Sequence, residues 1–501
     1  RLVSDGTAAA ILVQVGAIHR ACPAMSELTV QRLVSYGLPV CHPPECLCSA
    51  AEGDSASISG RDSRLDCARW VPEGDVALAS QRDAPYVWRS VDLGPCRSRW
   101  EVAYLEEQLG GIESSFHLSA SPALDFEHKN FEYVKLDFAD ALRRMASSPR
   151  GCGEPREGAT SGDYLYYRAT NVQRKPTTLD NTLAPIRDDF VLPAETVLPS
   201  DARPFSTVLR LCSPSTRVWL HYDVCDNVIC QVAGRKRVVL FRPDVVDHLE
   251  IGASSSRLGA RMLLGPSELR RVFAESPRFE AAWEERFEAA LRPGDVLRIP
   301  ALWGHCTEDL PLGENTIGAR HSDHAWAKTK SEARCYTGIG ISVNVFYKTS
   351  DLMPFYSPKD PWCNADYVPY SQALQLLEKL PGQLEEPVRG AFLLRLLDRL
   401  RQELPPDARR LSFSCDAALD SRARASLSDP GCAQAWKPFA KAVKNITDMP
   451  ERVRGFYLRR LMEAIRPLCG IAEPGRIAAL HESGGVPWLG PNGPAGEVQE
   501  P

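Results

Sequence analysis

Nothing in this chain approaches the roughly 18 consecutive apolar residues that a membrane-crossing helix requires; a stretch such as "AAAILVQVGAI" (8–18) is core-sized. Basic charge is not in excess either. Lys and Arg number 59 against 64 Asp and Glu, a net charge of −5. That excludes a protein basic over its whole surface and leaves room for a local basic face. Disulfide-scaffold density is lacking: 16 cysteines look numerous, but 501 residues dilute them far below that level. With no secretory signal ahead of them, these are expected to be reduced, mostly buried thiols of an intracellular protein, cytoplasmic or nuclear. Zinc has little to hold it, because Cys41, Cys46 and Cys48 of "CHPPECLC" are badly spaced and no second pair lies nearby. The chain begins at Arg1 rather than Met, so the natural N-terminus, with any targeting signal, is expected upstream.

What is present is an ordinary folding composition, 44% hydrophobic and 25% charged. Residues 1–67 read as a loop-rich segment of Pro, Ser, Gly and Asp. Strand patterning governs 75–350. "YVWRSVDL" (86–93) alternates, "RSRWEVAYLEEQLGG" (97–111) predicts a helix with a Gly stop, and "FEYVKLDFADALRRMA" (131–146) predicts a strand running into a helix. Short strands then follow closely at 205–212, 216–221, 227–233 and 236–241, a charged helical block at 267–291, and strands again at 294–300 and 338–348. Many short strands with one helical insertion predict a mainly β fold with helices, a double-stranded β-helix of the jelly-roll or cupin type. From 365 to 470 the pattern is helical, with an internal echo: "VRGAFLLRLLDRL" (388–400) matches "VRGFYLRRLMEAI" (453–465). Two copies predict two related hairpins rather than a solenoid. Residues 471–501 read as a flexible tail.

The chemistry starts at "WLHYDVCDNVICQVAGRKRVVLF" (219–241). His221 and Asp223, two apart on a strand, share one face. One imidazole and one carboxylate lack only a second histidine to make the two-His-one-carboxylate set that suits non-haem Fe(II). His305 in "GDVLRIPALWGHCTED" is the candidate. A lone H-x-D is weak, and "RHSDH" holds another at His321 and Asp323. What favours the first is its strand context and Lys236 on the next strand, a cation placed for the carboxylate of an organic acid.

Together, "LHYDVCDNVICQVAGRKRVVLFRP", "GDVLRIPALWGH" and "GISVNVFYK" resemble the JmjC family of Fe(II)- and 2-oxoglutarate-dependent oxygenases. The flanking "SVDLGPCRSRW", "LDFEHKNFEYVKLDF" and "MPERVRGFYLRRL" are similar to the branch of that family that hydroxylates the wybutosine side chain at position 37 of phenylalanine tRNA. The resemblance implies Fe(II), 2-oxoglutarate and O2 as cofactors and His221, Asp223 and His305 as iron ligands. It implies that Lys236 pairs with the distal carboxylate of 2-oxoglutarate, that Asn227 and Asn344 line its pocket, and that Tyr166 reaches it, with Tyr164 and Tyr167 as alternatives. Leu220 departs from the hydroxyl-bearing residue expected just before the first histidine. Residues 306–337 form an atypical insertion where the family crosses in a few residues, either an RNA-touching lid or an unspliced or mispredicted segment, the latter preferred.

A tRNA substrate implies phosphate contacts and salt-sensitive binding. Arg389 and Arg395 of the first hairpin and Arg454, Arg459 and Arg460 of the second are the candidate donors, against the plainer reading of a solvated helix face. Leu393, Leu396, Leu397 and Leu400 make an apolar stripe that suits either the core or a homodimer contact. Two rival functions share the frame: a JmjC protein hydroxylase or lysine demethylase, and a non-catalytic cupin scaffold.

Overall fold

Short β-branched runs closed by tight turns drive the centre of the chain into sheet. The computed structural model describes residues 68–73, 83–147, 164–169, 178–252, 255–310, 338–353, 360, 362, 364–404 and 430–469. Segments 1–67 and 471–501 lie outside these. The strands are β1 (Arg69–Trp70), β2 (Tyr86–Trp88), β3 (Glu113–Ser119), β4 (Glu132–Asp137), β5 (Tyr164–Arg168), β6 (Arg203–Cys212), β7 (Arg217–His221), β8 (Asp226–Ala233), β9 (Arg235–Phe241), β10 (Phe287–Leu291), β11 (Val296–Ile299), β12 (Gly304–Leu310) and β13 (Gly340–Lys348). The principal helices are α1 (Val102–Leu109), α2 (Phe138–Ser147), α3 (Pro266–Glu275), α4 (Pro277–Glu284), α5 (Tyr367–Lys379), α6 (Glu386–Glu403), α7 (Pro430–Thr447) and α8 (Glu451–Ile465). None of the described helices is long and apolar enough to cross a membrane.

The strands form two sheets, ordered β1-β10-β9-β12-β7 and β2-β11-β8-β13-β6-β5-β3-β4. Pairing is antiparallel apart from β1 with β10, so the jelly-roll expectation holds. β8 turns into β9 at Gly234, whose φ is +74° and where a Cβ would stand 3.1 Å from the Ile339 carbonyl oxygen; glycine suits that hairpin. One face of the wide sheet is covered by α1 and α2, with Phe116, Tyr167, Leu211 and Tyr347 packed among Leu105, Phe138 and Leu142. Inside, Ile229, Val238, Leu240, Leu297 and Ile299 form an apolar plug. The wide sheet has eight strands against five, so β5, β3 and β4 extend past its partner.

In the helical region α5 packs chiefly against α7 and α6 against α8, so the expected sequential hairpins are not the main packing pairs, and the echo aligns α6 with α8. Leu393, Leu396, Leu397 and Leu400 are buried in one cluster with Phe439, Phe456, Leu461 and the outward-facing Val239 and Phe241 of β9. The apolar stripe is therefore spent within the chain and offers no dimer surface. Two arginines tie α8 to the barrel. Arg460 donates to Asp247 (2.9 Å), the Tyr222 hydroxyl (3.2 Å) and the Ile251 carbonyl (3.0 Å). Arg452 bonds Asp226 at 3.1 Å and lies 3.4 Å from Asp351.

Three sequence expectations are corrected. Residues 287–291, placed in a helix by the charged pattern, are strand β10, paired with β9 from Phe287↔Leu240 to Leu291↔Lys236; pairing overrides local propensity here. The helix expected over 97–111 breaks at Trp100 into Cys96–Arg99 and α1. Residues 306–310, the start of the expected insertion, continue β12; 311–337, with His321 and Asp323, lie outside the described residues.

Candidate metal centre

β7 ends at His221 and β12 begins one residue before His305, and the two histidines are directly paired across the antiparallel ladder. Their ring centroids lie 4.3 Å apart. Asp223 is not on the strand with His221, as the H-x-D spacing suggested. It lies two residues past the strand's end, and its carboxylate Oδ2 comes within 3.7 Å of His305 Nε2. The three side chains offer ligand atoms within 4.8 Å of one another, and no other such group of His, Cys, Asp and Glu occurs among the described residues. The backbone holds the halves together: the Leu302 N–H donates to the Asp223 carbonyl at 2.7 Å, with Leu302 itself at φ +71°.

Each histidine is oriented by its own strand. Nδ1 of His221 lies 2.9 Å from the Trp219 carbonyl, and Nδ1 of His305 lies 3.0 Å from the Trp303 carbonyl. A carbonyl only accepts, so Nδ1 carries the proton and Nε2 presents its lone pair to the site. Burial lowers both imidazole pKa values, that of His221 to about 3, so both rings are neutral at neutral pH. Two neutral nitrogens and one carboxylate fit the donor set of a facial Fe(II) site with open positions.

Around this centre the interior of the barrel is polar. Tyr166 is buried and its hydroxyl accepts from Arg210. Tyr167 points the other way, into the core beside Phe116 and Phe138, while strand alternation puts Tyr164 on the same face as Tyr166. Asn344 Nδ2 donates to Asn227 Oδ1 at 3.2 Å. Asn344 Oδ1, the Ser342 hydroxyl and Arg210 Nε are buried with no hydrogen-bond partner in the protein, which points to a polar ligand. Lys236 is in the pocket but not free: its Nζ bonds both Asp309 oxygens, at 2.8 and 2.7 Å, with both side chains fully buried. Asp309 also takes the space that a Cβ on Gly340 would need, only 2.1 Å from Oδ1.

Sequence reasoning missed Arg210 and Asp309. A lone cation inside the apolar run "FSTVLRLC" was the available signal for the first. Leu220 needs no hydroxyl counterpart, since it packs outward with Tyr222 and the helices while His221 faces inward. The candidate RNA arginines fare differently. Arg460 is corrected outright: it is buried and saturated by the barrel. Arg389 bonds Glu386 at 3.0 Å, Arg395 sits 5.4 Å from the Trp436 ring, and Arg454 donates to the Thr447 carbonyl at 3.4 Å. Arg459 is half-buried on the same helix. Of the five, only Arg460 reaches the loop of the metal centre through a described hydrogen bond, to the Tyr222 hydroxyl.

A cupin-like domain model matches residues 79–353, more than half of the chain. The chain belongs to the cupin-like family. Among curated relatives, tRNA wybutosine-synthesizing protein 5 of Danio rerio is 33% identical over 305 residues, covering 60% of this chain and 80% of that protein. The Homo sapiens protein of the same name is 32% identical over 320 residues, covering 62% and 87%. The tRNA wybutosine-synthesizing protein 4 of Neurospora crassa is 32% identical over 368 residues, 71% of this chain. The chain spans about a quarter (26%) of that longer relative. This cupin-like chain thus groups with wybutosine-synthesis proteins, and the cupin-like match over 79–353 contains His221, Asp223 and His305.

Proposed function

We propose that this cupin-like protein is an Fe(II)- and 2-oxoglutarate-dependent hydroxylase of the wybutosine side chain at position 37 of phenylalanine tRNA. The observation that carries the reading is the centre itself: two paired histidines, each aimed by its own backbone carbonyl, with a carboxylate in reach. The names of the relatives support the tRNA substrate.

His221, Asp223 and His305 would hold the metal. When bound, it supplies the hydroxylation, in which O2 is consumed, one oxygen enters the substrate and 2-oxoglutarate leaves as succinate and CO2. The protein's own part is placement. Arg210 and Lys236 are the cations within the barrel for the cosubstrate carboxylates, the unpaired Asn344 and Ser342 oxygens can bond its polar atoms, and Tyr166 is held by Arg210 beside them. The apolar plug behind them keeps water from the inner end.

The test supplies the protein with Fe(II), 2-oxoglutarate and phenylalanine tRNA bearing unhydroxylated wybutosine, then weighs the digested nucleosides. A gain of one oxygen on that base, lost in His221→Ala, is expected. Succinate without a modified base would move the substrate to protein and favour the rival hydroxylase. Neither product would leave a cupin scaffold.

A further inference from the structure

The wide sheet carries more than the pocket. Because it exceeds its partner by three strands, β5, β3 and β4 reach beyond that partner; Phe131 covers His117, and Tyr166 is buried with Leu124 and Trp219, while the outer part of the pocket-side face is exposed. The register lays out what that face presents. Tyr133 on β4 is opposite His117 on β3, His117 is opposite Tyr166 on β5, and Tyr166 is opposite Cys212 on β6. The neighbouring row has Lys135 opposite Ser115 on one side and Arg168 opposite Arg210 on the other. Directly opposed residues point to the same face. The far side of these strands is core, with Phe116 and Tyr167 under the helices.

The outer part of this face is open. Tyr133 is 62% exposed, one of few large apolar side chains so placed among the described residues. Its ring lies 4.7 Å from that of His117, which in turn lies 5.3 Å from that of Tyr166. Ser115, Lys135 and Arg168 are exposed beside it. Glu113 and Asp137 close the far corner, with Lys135 Nζ 3.7 Å from Glu113. From β6 to β4 this shelf runs about 14 Å at roughly 4.8 Å per strand, room for a short single-stranded segment.

We propose that this shelf is the RNA platform of the site: Tyr133 stacks on a base neighbouring the one that enters the pocket, and Lys135 and Arg168 hold the flanking phosphates. An aromatic face stacks on any base, and cations beside it track the backbone. The groove between α6 and α7 is the competing surface; there Arg399 pairs with Glu403 and Lys444 with Asp448, while Arg395 lies over the Trp436 ring. The shelf rests on the tRNA reading above, and the test keeps the two apart.

The full chain is titrated against fluorescent phenylalanine tRNA at several salt concentrations, with far-UV dichroism confirming the fold of each variant. Tyr133→Ala is expected to weaken binding at least about five-fold. The double variant Lys135→Glu/Arg168→Glu is expected to make the salt dependence shallower by about two contacts. Lys135→Gln and Arg168→Gln should follow with smaller effects. Wild-type binding that these variants leave unchanged, while Arg395→Glu weakens it, would overturn the shelf and leave the substrate reading standing. A wild-type protein that does not hold the tRNA at all would overturn both.

Discussion

At Lys236, the residue read from the sequence as a free anchor for 2-oxoglutarate, the barrel has already supplied an anion. The buried pair with Asp309 means that an incoming carboxylate shares the lysine rather than owning it, and Arg210 becomes the less committed cation. Removing one member of a buried pair strands the other charge, which typically costs about 3–5 kcal/mol. Lys236→Met is therefore expected to lower stability by that order, measured by denaturant unfolding, besides raising the 2-oxoglutarate requirement. The double variant Lys236→Met/Asp309→Leu should recover most of the loss. If the single variant unfolds like wild type, the pair is not coupled as the distances indicate.

Among elements, strands were more legible than helices' partners. The alternating runs of β6 to β9, β11 and β13 are plain in the sequence because each is short, β-branched and closed by a turn. β10 was hidden, since "FEAAL" has no strand propensity of its own and forms only by pairing with β9. The same locality made His221, Asp223 and His305 readable from motif spacing, whereas Asp309 emerges only when β12 is laid beside β9. Helix α8 shows the converse error. Its arginines read as a solvent-facing row, yet Arg460 crosses into the barrel, which periodicity within one helix cannot reveal. Arg460→Met removes its bonds to Asp247, Tyr222 and Ile251 and leaves Asp247 without this partner. It is expected to destabilise the protein by about 3 kcal/mol or more without changing the salt slope of tRNA binding. A change in that slope with unaltered stability would restore Arg460 as an RNA contact.

For the whole molecule, acid is the exposed weakness of the metal-free form. Burial lowers the pKa of His117 to about 4 and of His221 to about 3, and that of His305 in the same direction. A histidine with a depressed folded pKa takes its proton only on unfolding, so stability is full above the unfolded value near 6.5 and falls as pH drops below it. A group whose folded pKa lies well below that window costs about 1.4 kcal/mol per pH unit in it, so His117 and His221 together cost about 3 kcal/mol at pH 5.5, and His305 adds in the same direction. Melting temperature should therefore fall steeply between pH 6.5 and 5, and His117→Gln should make the decline shallower. A flat profile would mean these imidazoles are protonated in the fold.

Helix α8 grips the metal loop at both ends. Arg460 and the Tyr457 hydroxyl meet Tyr222, one residue before Asp223, and Arg452 meets Asp226, three residues after it. The loop that delivers the carboxylate is thus slung between two anchors on a helix from the far end of the chain. Metal affinity then becomes a strain gauge for the helical appendage. On the proposed metal-binding reading, whatever displaces α8 is expected to weaken the hold on the ion through Tyr222 and Asp226.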